Sequence, residues 1–195
     1  SEFSNLTVYS NSHNTKPLFY KISGTWGNHE GSLLLWLLIL TCTIFIYSLF
    51  SKNRSSKEKY FTTIFQQIII IGFLSFTILT SNPFSMIDPT PSNGLGLNPI
   101  LQDPILAIHP PILYMGYVTT AIIFSSSLAS LIAGKVDKSW AKYIKNWTFF
   151  SWSFLTAGIL LGSIWAYYEL GWGGFWFWDP VENISLMPWL SLTAL

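Results

Sequence analysis

The chain has 195 residues, of which 50% are hydrophobic, 17% aromatic and only 10% charged, with a formal net charge of +1. A soluble domain carries about 25% charged residues, so this composition indicates a polytopic membrane protein, and the near-zero charge gives no basis for nucleic-acid binding. The one cysteine, Cys42, lies in an apolar run and excludes both an internal disulfide and a four-cysteine metal site; it is read as a small buried packing residue.

Residues 1–30 are read as an external N-terminal segment. Its first stretch, Ser1 to Lys16, is polar, lacks the charged-then-apolar layout of a signal peptide and starts without a methionine. A processed or fragmentary form is therefore expected. His13 is expected in solvent. The bundle is expected over 31–195. A spanning helix needs about 20 mostly apolar residues, and Gly31–Phe50 is the first such stretch. Thr62–Ser81 is the second, Ile112–Ala133 the third and Trp147–Tyr167 the fourth. In the third, Ser125, Ser126, Ser127, Ala129 and Ser130 favour close helix packing. A fifth span begins near Pro188 and runs to Leu195, so another polypeptide or a continuation is expected to complete the bundle. The predicted fold is an all-α transmembrane bundle of about four spans plus the start of a fifth.

Between the spans, 82–111 holds seven prolines and the Asn93-Gly94 turn signal. It is read as an ordered, Pro-rich external loop whose short apolar pieces lie on the membrane surface. The loops alternate in charge. Ser51–Tyr60 holds Lys52, Arg54, Lys57 and Lys59, and Gly134–Asn146 holds Lys135, Lys138, Lys142 and Lys145. Neither 82–111 nor 169–187 contains Lys or Arg. The positive-inside rule puts both basic loops toward the cytoplasm or mitochondrial matrix and the other two on the opposite face.

That opposite face carries the chain's densest chemistry. Trp172-Gly-Gly-Phe-Trp-Phe-Trp-Asp-Pro-Val-Glu-Asn183 packs Trp172, Trp176 and Trp178 with Gly173 and Gly174, which allow close backbone approach. Such a surface suits a large planar ligand, where an interfacial belt needs only scattered aromatics. His109, just before Pro110-Pro111, is expected outside the third helix, either as a hydrogen-bonded interfacial residue or as a haem-iron ligand. Trp26, His29 and Glu30 precede the first span and either cap it, with Asn28 or Ser32 as N-cap, or line the same pocket. Asp179 and Glu182 are spaced for a capping box ahead of Pro180, and alternatively for acid–base work or for binding a cation. Glu169 is expected to pair with a polar neighbour. No Gly-rich phosphate loop, His-Glu-x-x-His, Cys-x-x-Cys or nucleophile elbow is present, so any reactive atoms belong to a cofactor or substrate.

The Trp172–Asn183 stretch resembles the tryptophan-rich "WWD" signature of haem-handling proteins. With Trp26-Gly-Asn-His-Glu-Gly-Ser-Leu-Leu-Leu-Trp36, Leu97-Asn-Pro-Ile-Leu-Gln-Asp-Pro104, His109-Pro-Pro-Ile-Leu-Tyr-Met-Gly-Tyr117 and Trp165-Ala-Tyr-Tyr-Glu-Leu-Gly-Trp172, the chain resembles the CcmF haem lyases of cytochrome c maturation from about Tyr20 onward. It looks like an N-terminal or central fragment, as in split mitochondrial CcmF. The resemblance implies haem b as substrate, delivered by a CcmE-like chaperone and placed on the WWD face, with His109 an axial ligand. Apocytochrome c then supplies the thiols that form thioethers with the vinyl groups. It also implies a CcmH-like thiol-reducing subunit and other CcmF fragments as partners, beside membrane lipid. The place implied is the mitochondrial inner membrane with the WWD loop toward the intermembrane space, or a bacterial plasma membrane with the loop toward the periplasm. Two other readings of the residues are a haem transporter or exporter component and a structural subunit of a respiratory assembly.

Overall fold

A computed structural model describes residues 2–171 and 176–195. Two short helices, α1 (Leu6–Asn11) and α2 (Leu18–Ser23), precede α3 (His29–Phe50) and α4 (Ser56–Thr80). Then come α5 (Pro104–Val118), α6 (Thr120–Ala133), α7 (Lys138–Glu169) and α8 (Pro180–Ala194). Only Thr119 separates α5 from α6, and the two count as one candidate span, Pro104–Ala133. With α3, α4 and α7 this makes four helices long and apolar enough to cross a membrane. The described part of the chain is an all-α polytopic bundle.

The helices begin earlier than hydropathy alone indicates, because polar caps and charged first turns belong to them. Asn28 Oδ1 accepts from Gly31 N at 3.0 Å and starts α3. Ser55 accepts from Glu58 N and starts α4 six residues before Thr62. Asp137 accepts from Trp140 N at 2.7 Å and starts α7 nine residues before Trp147. Asp179 starts α8 eight residues before Pro188, which lies inside the helix. Each cap satisfies amide groups that a helix start leaves open.

The third span is the main correction. Asp103 caps a helix with Pro104 in its first turn, so the irregular connection covers only 82–103, and His109, Pro110 and Pro111 are helical. An interior proline removes the N–H that would bond the carbonyl four residues back, and inside a membrane that carbonyl needs another donor. For Pro111 it is Ala107 O, and the Trp26 indole N–H donates to that atom at 3.0 Å. The tryptophan thus supplies the bond the proline cannot.

α5 and α7 pack backbone to backbone. A Cβ on Gly158 would stand 2.5 Å from Leu113 Cα, and one on Gly116 would collide with the backbone of Leu155. Around this seam Ile44, Tyr47, Leu113, Ile122, Ile144, Leu155 and Leu192 form the buried core. Cys42 is exposed, not buried as expected, because it lies off the α3 face that carries Leu40, Ile44 and Tyr47 inward. α4 packs on α6 through the small residues: Ser125, Ser126 and Ser130 are fully buried, and Ser125 Oγ donates to Gln66 Oε1 at 3.1 Å.

The two ends differ. At one, Arg54 makes a bidentate pair with fully buried Glu58 (Nε–Oε1 2.9 Å, Nη2–Oε2 2.7 Å) and donates to Ser139 Oγ at 3.0 Å, tying the two basic loops together. Hydrogen bonding to Glu58 pushes the Arg54 guanidinium further above its already high value. At the other, the N-terminal segment clasps the 82–103 connection: Leu6 N donates to Ser85 O, Ile87 N to Ser4 O and Leu95 N to Tyr9 O, at 2.7–2.8 Å. His13 is half-buried there with Asn93 Nδ2 at 2.9 Å from its Nε2, not free in solvent as expected, because the connection folds back over it. Eight of the ten Lys and Arg belong to the Arg54 end and seven of the nine Asp and Glu to the other.

Two substitutions test these contacts. Arg54→Ala leaves Glu58 buried without a partner and should destabilise by about 3–5 kcal/mol, whereas Arg54→Leu with Glu58→Leu should recover most of the loss. Thermal unfolding in detergent reads both. Trp26→Phe should cost about 1–3 kcal/mol by orphaning Ala107 O. Adding Pro111→Ala should reverse that loss, because it restores the backbone N–H; additive losses in the double variant would show that the Trp26 bond does not replace the proline's.

Candidate functional site

The N-terminus of α8 is built by its own acids. Glu182 N donates to Asp179 Oδ1 at 2.6 Å, and Glu182 Oε2 accepts from Asp179 N at 3.3 Å and Phe177 N at 2.7 Å. This is a complete capping box with Pro180 at its start. Asn183 Nδ2 adds a bond to Trp178 O at 2.8 Å. Together these hold Trp178 at φ 58, a left-handed conformation that costs a bulky residue about 1 kcal/mol or more. The Trp178 ring is 67% exposed and meets Trp176 edge-on, with centroids 5.8 Å apart. Trp176 is half-buried, and its indole N–H has no partner among the described residues. Trp172, Gly173 and Gly174 lie outside the described residues.

His109 faces this corner from α5. Its ring lies against the glycine seam: a Cβ on Gly162 would come within 2.6 Å of His109 Cε1. Nδ1 is 2.8 Å from Gly158 O. A carbonyl only accepts, so the proton sits on Nδ1, and the neutral ring keeps its lone pair on Nε2. His109 lines a cavity of about 150 Å³ with Gly162, Trp165, Asp179, Val181 and Glu182. Trp165, too, has an indole N–H without a partner among the described residues.

Trp26 and His29 line a neighbouring open groove of about 700 Å³, which shares Leu113, Val181 and Ser185 with the His109 cavity. His29 Nε2 is 2.7 Å from Ser81 Oγ, and its Nδ1 is 3.7 Å from Glu30 Oε1. The His29 side chain remains 62% exposed. The first turn of α8 therefore divides one region into two compartments, with His109, Asp179 and Glu182 on one side and Trp26 and His29 on the other. Glu30 stays in the first turn of α3, beside His29.

Sequence reasoning gave no role to Gly158, Gly162 or Trp36. The two glycines, four apart on α7, are the surface on which His109 rests. Trp36 centres an aromatic cluster in the groove, with Phe73, Tyr114 and Tyr117 centroids 5.2–5.4 Å away. The Gly-x-x-x-Gly spacing was a usable signal for the first; nothing local marks the second. Among the described residues, no group of three His, Cys, Asp or Glu side chains could hold a metal ion.

Comparison with known proteins identifies the family. The family described as "Cytochrome C assembly protein" matches residues 26–195. The cytochrome c-type biogenesis protein CycK of Rhizobium meliloti is 55% identical over 195 residues, which is 100% of this chain and 29% of that protein. The cytochrome c-type biogenesis proteins CcmF of Haemophilus influenzae and Escherichia coli are 50% and 49% identical over 196 residues, again 100% of this chain and 30% of each relative. The chain thus spans about three-tenths of the length of these curated relatives. No solved structure matches it. The chain belongs to the cytochrome c assembly family, in its CcmF and CycK branch.

Proposed function

We propose that this chain is the haem-presenting part of a cytochrome c haem lyase. It holds haem, as substrate, against the face formed by His109 and the Trp172–Glu182 stretch while thioethers form with apocytochrome c. The observation that carries the reading is the His109 tautomer. A histidine that ligates a metal generally donates its other ring N–H to a backbone carbonyl or carboxylate, which fixes its orientation and raises its basicity. His109 does so to Gly158 O, which leaves Nε2 as the donor atom for iron.

The other groups fit the same substrate. At about 150 Å³ the His109 cavity is below the roughly 300–1,000 Å³ of ligand pockets, so it admits an edge of the macrocycle rather than the whole. The larger groove and the exposed ring of Trp178 supply apolar and planar surface beside it. The free indole N–H groups of Trp165 and Trp176 suit propionate oxygens. Asp179 and Glu182 shape the loop, with one oxygen of each carboxylate accepting backbone N–H bonds. The bond-forming atoms are external: a cysteine S–H of apocytochrome c adds across a haem vinyl C=C, sulfur to one carbon and hydrogen to the other. The protein contributes orientation and proximity. A CcmE-like chaperone would deliver the haem, and a CcmH-like subunit would keep the cysteines reduced. The haem face would lie on the side away from the basic loops, the intermembrane space in mitochondria or the periplasm in bacteria.

His109→Ala should lower haem absorbance severalfold at matched protein level. Its lost hydrogen bond costs only about 1 kcal/mol, too little to unfold the bundle. Added imidazole should restore part of the spectrum by replacing the ligand; unchanged haem in the variant would make His109 a packing residue. The topology is tested in a Cys42→Ser background. An impermeant thiol reagent should reach Leu95→Cys only from the side where cytochrome c matures, and Lys135→Cys only from the other. The reverse pattern would put the platform on the wrong face for this function.

A further inference from the structure

A second site lies at the opposite, basic end of the bundle. α6, α7 and α8 enclose a cleft of about 770 Å³ whose depth is apolar, lined by Ile123, Ile144 and Leu192. Its polar rim is unlike that of the haem-facing compartments. Lys142 and Lys145, one turn apart on α7, both line it and are exposed. Among the described residues neither lysine has an ion-pair partner, and no Asp or Glu side chain lines the cleft. The nearest acid in sequence, Asp137, is committed to capping α7 through Trp140 N.

Trp140 is the second observation. It lines the same cleft, and its indole N–H is buried without a partner among the described residues. A buried donor left unpaired costs about 1–3 kcal/mol, so an acceptor placed there is favoured. The cleft's remaining side-chain polar groups are already engaged: Ser127 Oγ donates to Ile123 O, and Thr193 Oγ1 accepts from Trp152 Nε1. What is left is two cations and one N–H donor above an apolar recess. Phe149 on its wall is 67% exposed on the flank of a spanning helix.

We propose that this cleft binds an anionic phospholipid. Its phosphodiester would sit between Lys142, Lys145 and the Trp140 N–H, and one acyl chain would lie in the recess. Charge and shape select this occupant together. Basic pockets between membrane helices hold anionic headgroups, each surface cation contributing about 1 kcal/mol. A free phosphate would satisfy the rim but leave the apolar depth uncovered. A zwitterionic lipid would fill the depth but carry no net charge to match the lysines.

Native mass spectrometry of the detergent-purified protein tests this, with phosphatidylglycerol and phosphatidylcholine of identical chains as probes. The wild type should retain phosphatidylglycerol in preference to phosphatidylcholine. Lys142→Gln with Lys145→Gln should weaken that retention about tenfold to thirtyfold, the loss expected for two surface cations. Trp140→Phe, which keeps the ring and removes the donor, should weaken it less. Lys135→Gln with Lys138→Gln removes the same charge from the same end, away from the cleft rim, and should leave retention unchanged. Equal retention of the two lipids, equal loss in the two double-lysine variants, or displacement of the lipid by inorganic phosphate would each overturn the proposal.

Discussion

The arrangement depends on how closely α5 and α7 approach. In lipid there is little hydrophobic drive between helices, so association rests on packing and hydrogen bonds, and small residues that let backbones meet decide where it happens. Gly116, Gly158 and Gly162 are those residues. A side chain on Gly116 or Gly158 would push the backbones apart, and one on Gly162 would displace the imidazole of His109. The contact that closes the core is therefore also the contact that aims the candidate ligand. A substitution that loosens this seam therefore also displaces His109.

Polar groups within the bundle are handled by local exchange. Where Pro111 lacks a donor, Trp26 provides one; where Arg54 would be a buried charge, Glu58 and Ser139 surround it. Each solution joins segments distant in sequence, so each also fixes an end of the bundle. Trp26 ties the N-terminal segment to α5 beneath the groove that it lines with His29. Arg54 ties the first basic loop to the start of α7. The rim of that groove and the basic face are held by different residues, so either can be altered without directly touching the other.

The sequence shows some of this plainly and some of it not at all. Four spans are legible because each carries about 20 apolar residues, and the small-residue run on α6 announces close packing. The capping pattern Asp179-Pro180-x-Glu182 is legible too, since it is local. Helix starts at Ser56, Pro104, Lys138 and Pro180 are misplaced by hydropathy, because charged and polar first turns look like loop. His109 is the instructive case. Two prolines after it read as a helix boundary, yet a tryptophan more than 80 residues earlier supplies the missing bond, and no local pattern encodes that. Its glycine bed, 49 residues away on α7, depends on the register of two helices and is likewise invisible in one dimension.

The uneven charge of the two ends has a consequence for how much the basic loops can be asked to do. Each loop carries four cations, and the one acid in the first is neutralised by Arg54. Either loop alone would orient its neighbouring spans. The instruction for insertion is therefore written twice, and the second copy is redundant. Redundancy frees individual lysines from the duty of setting topology. Lys142 and Lys145 can then be replaced while the bundle keeps its sense of direction.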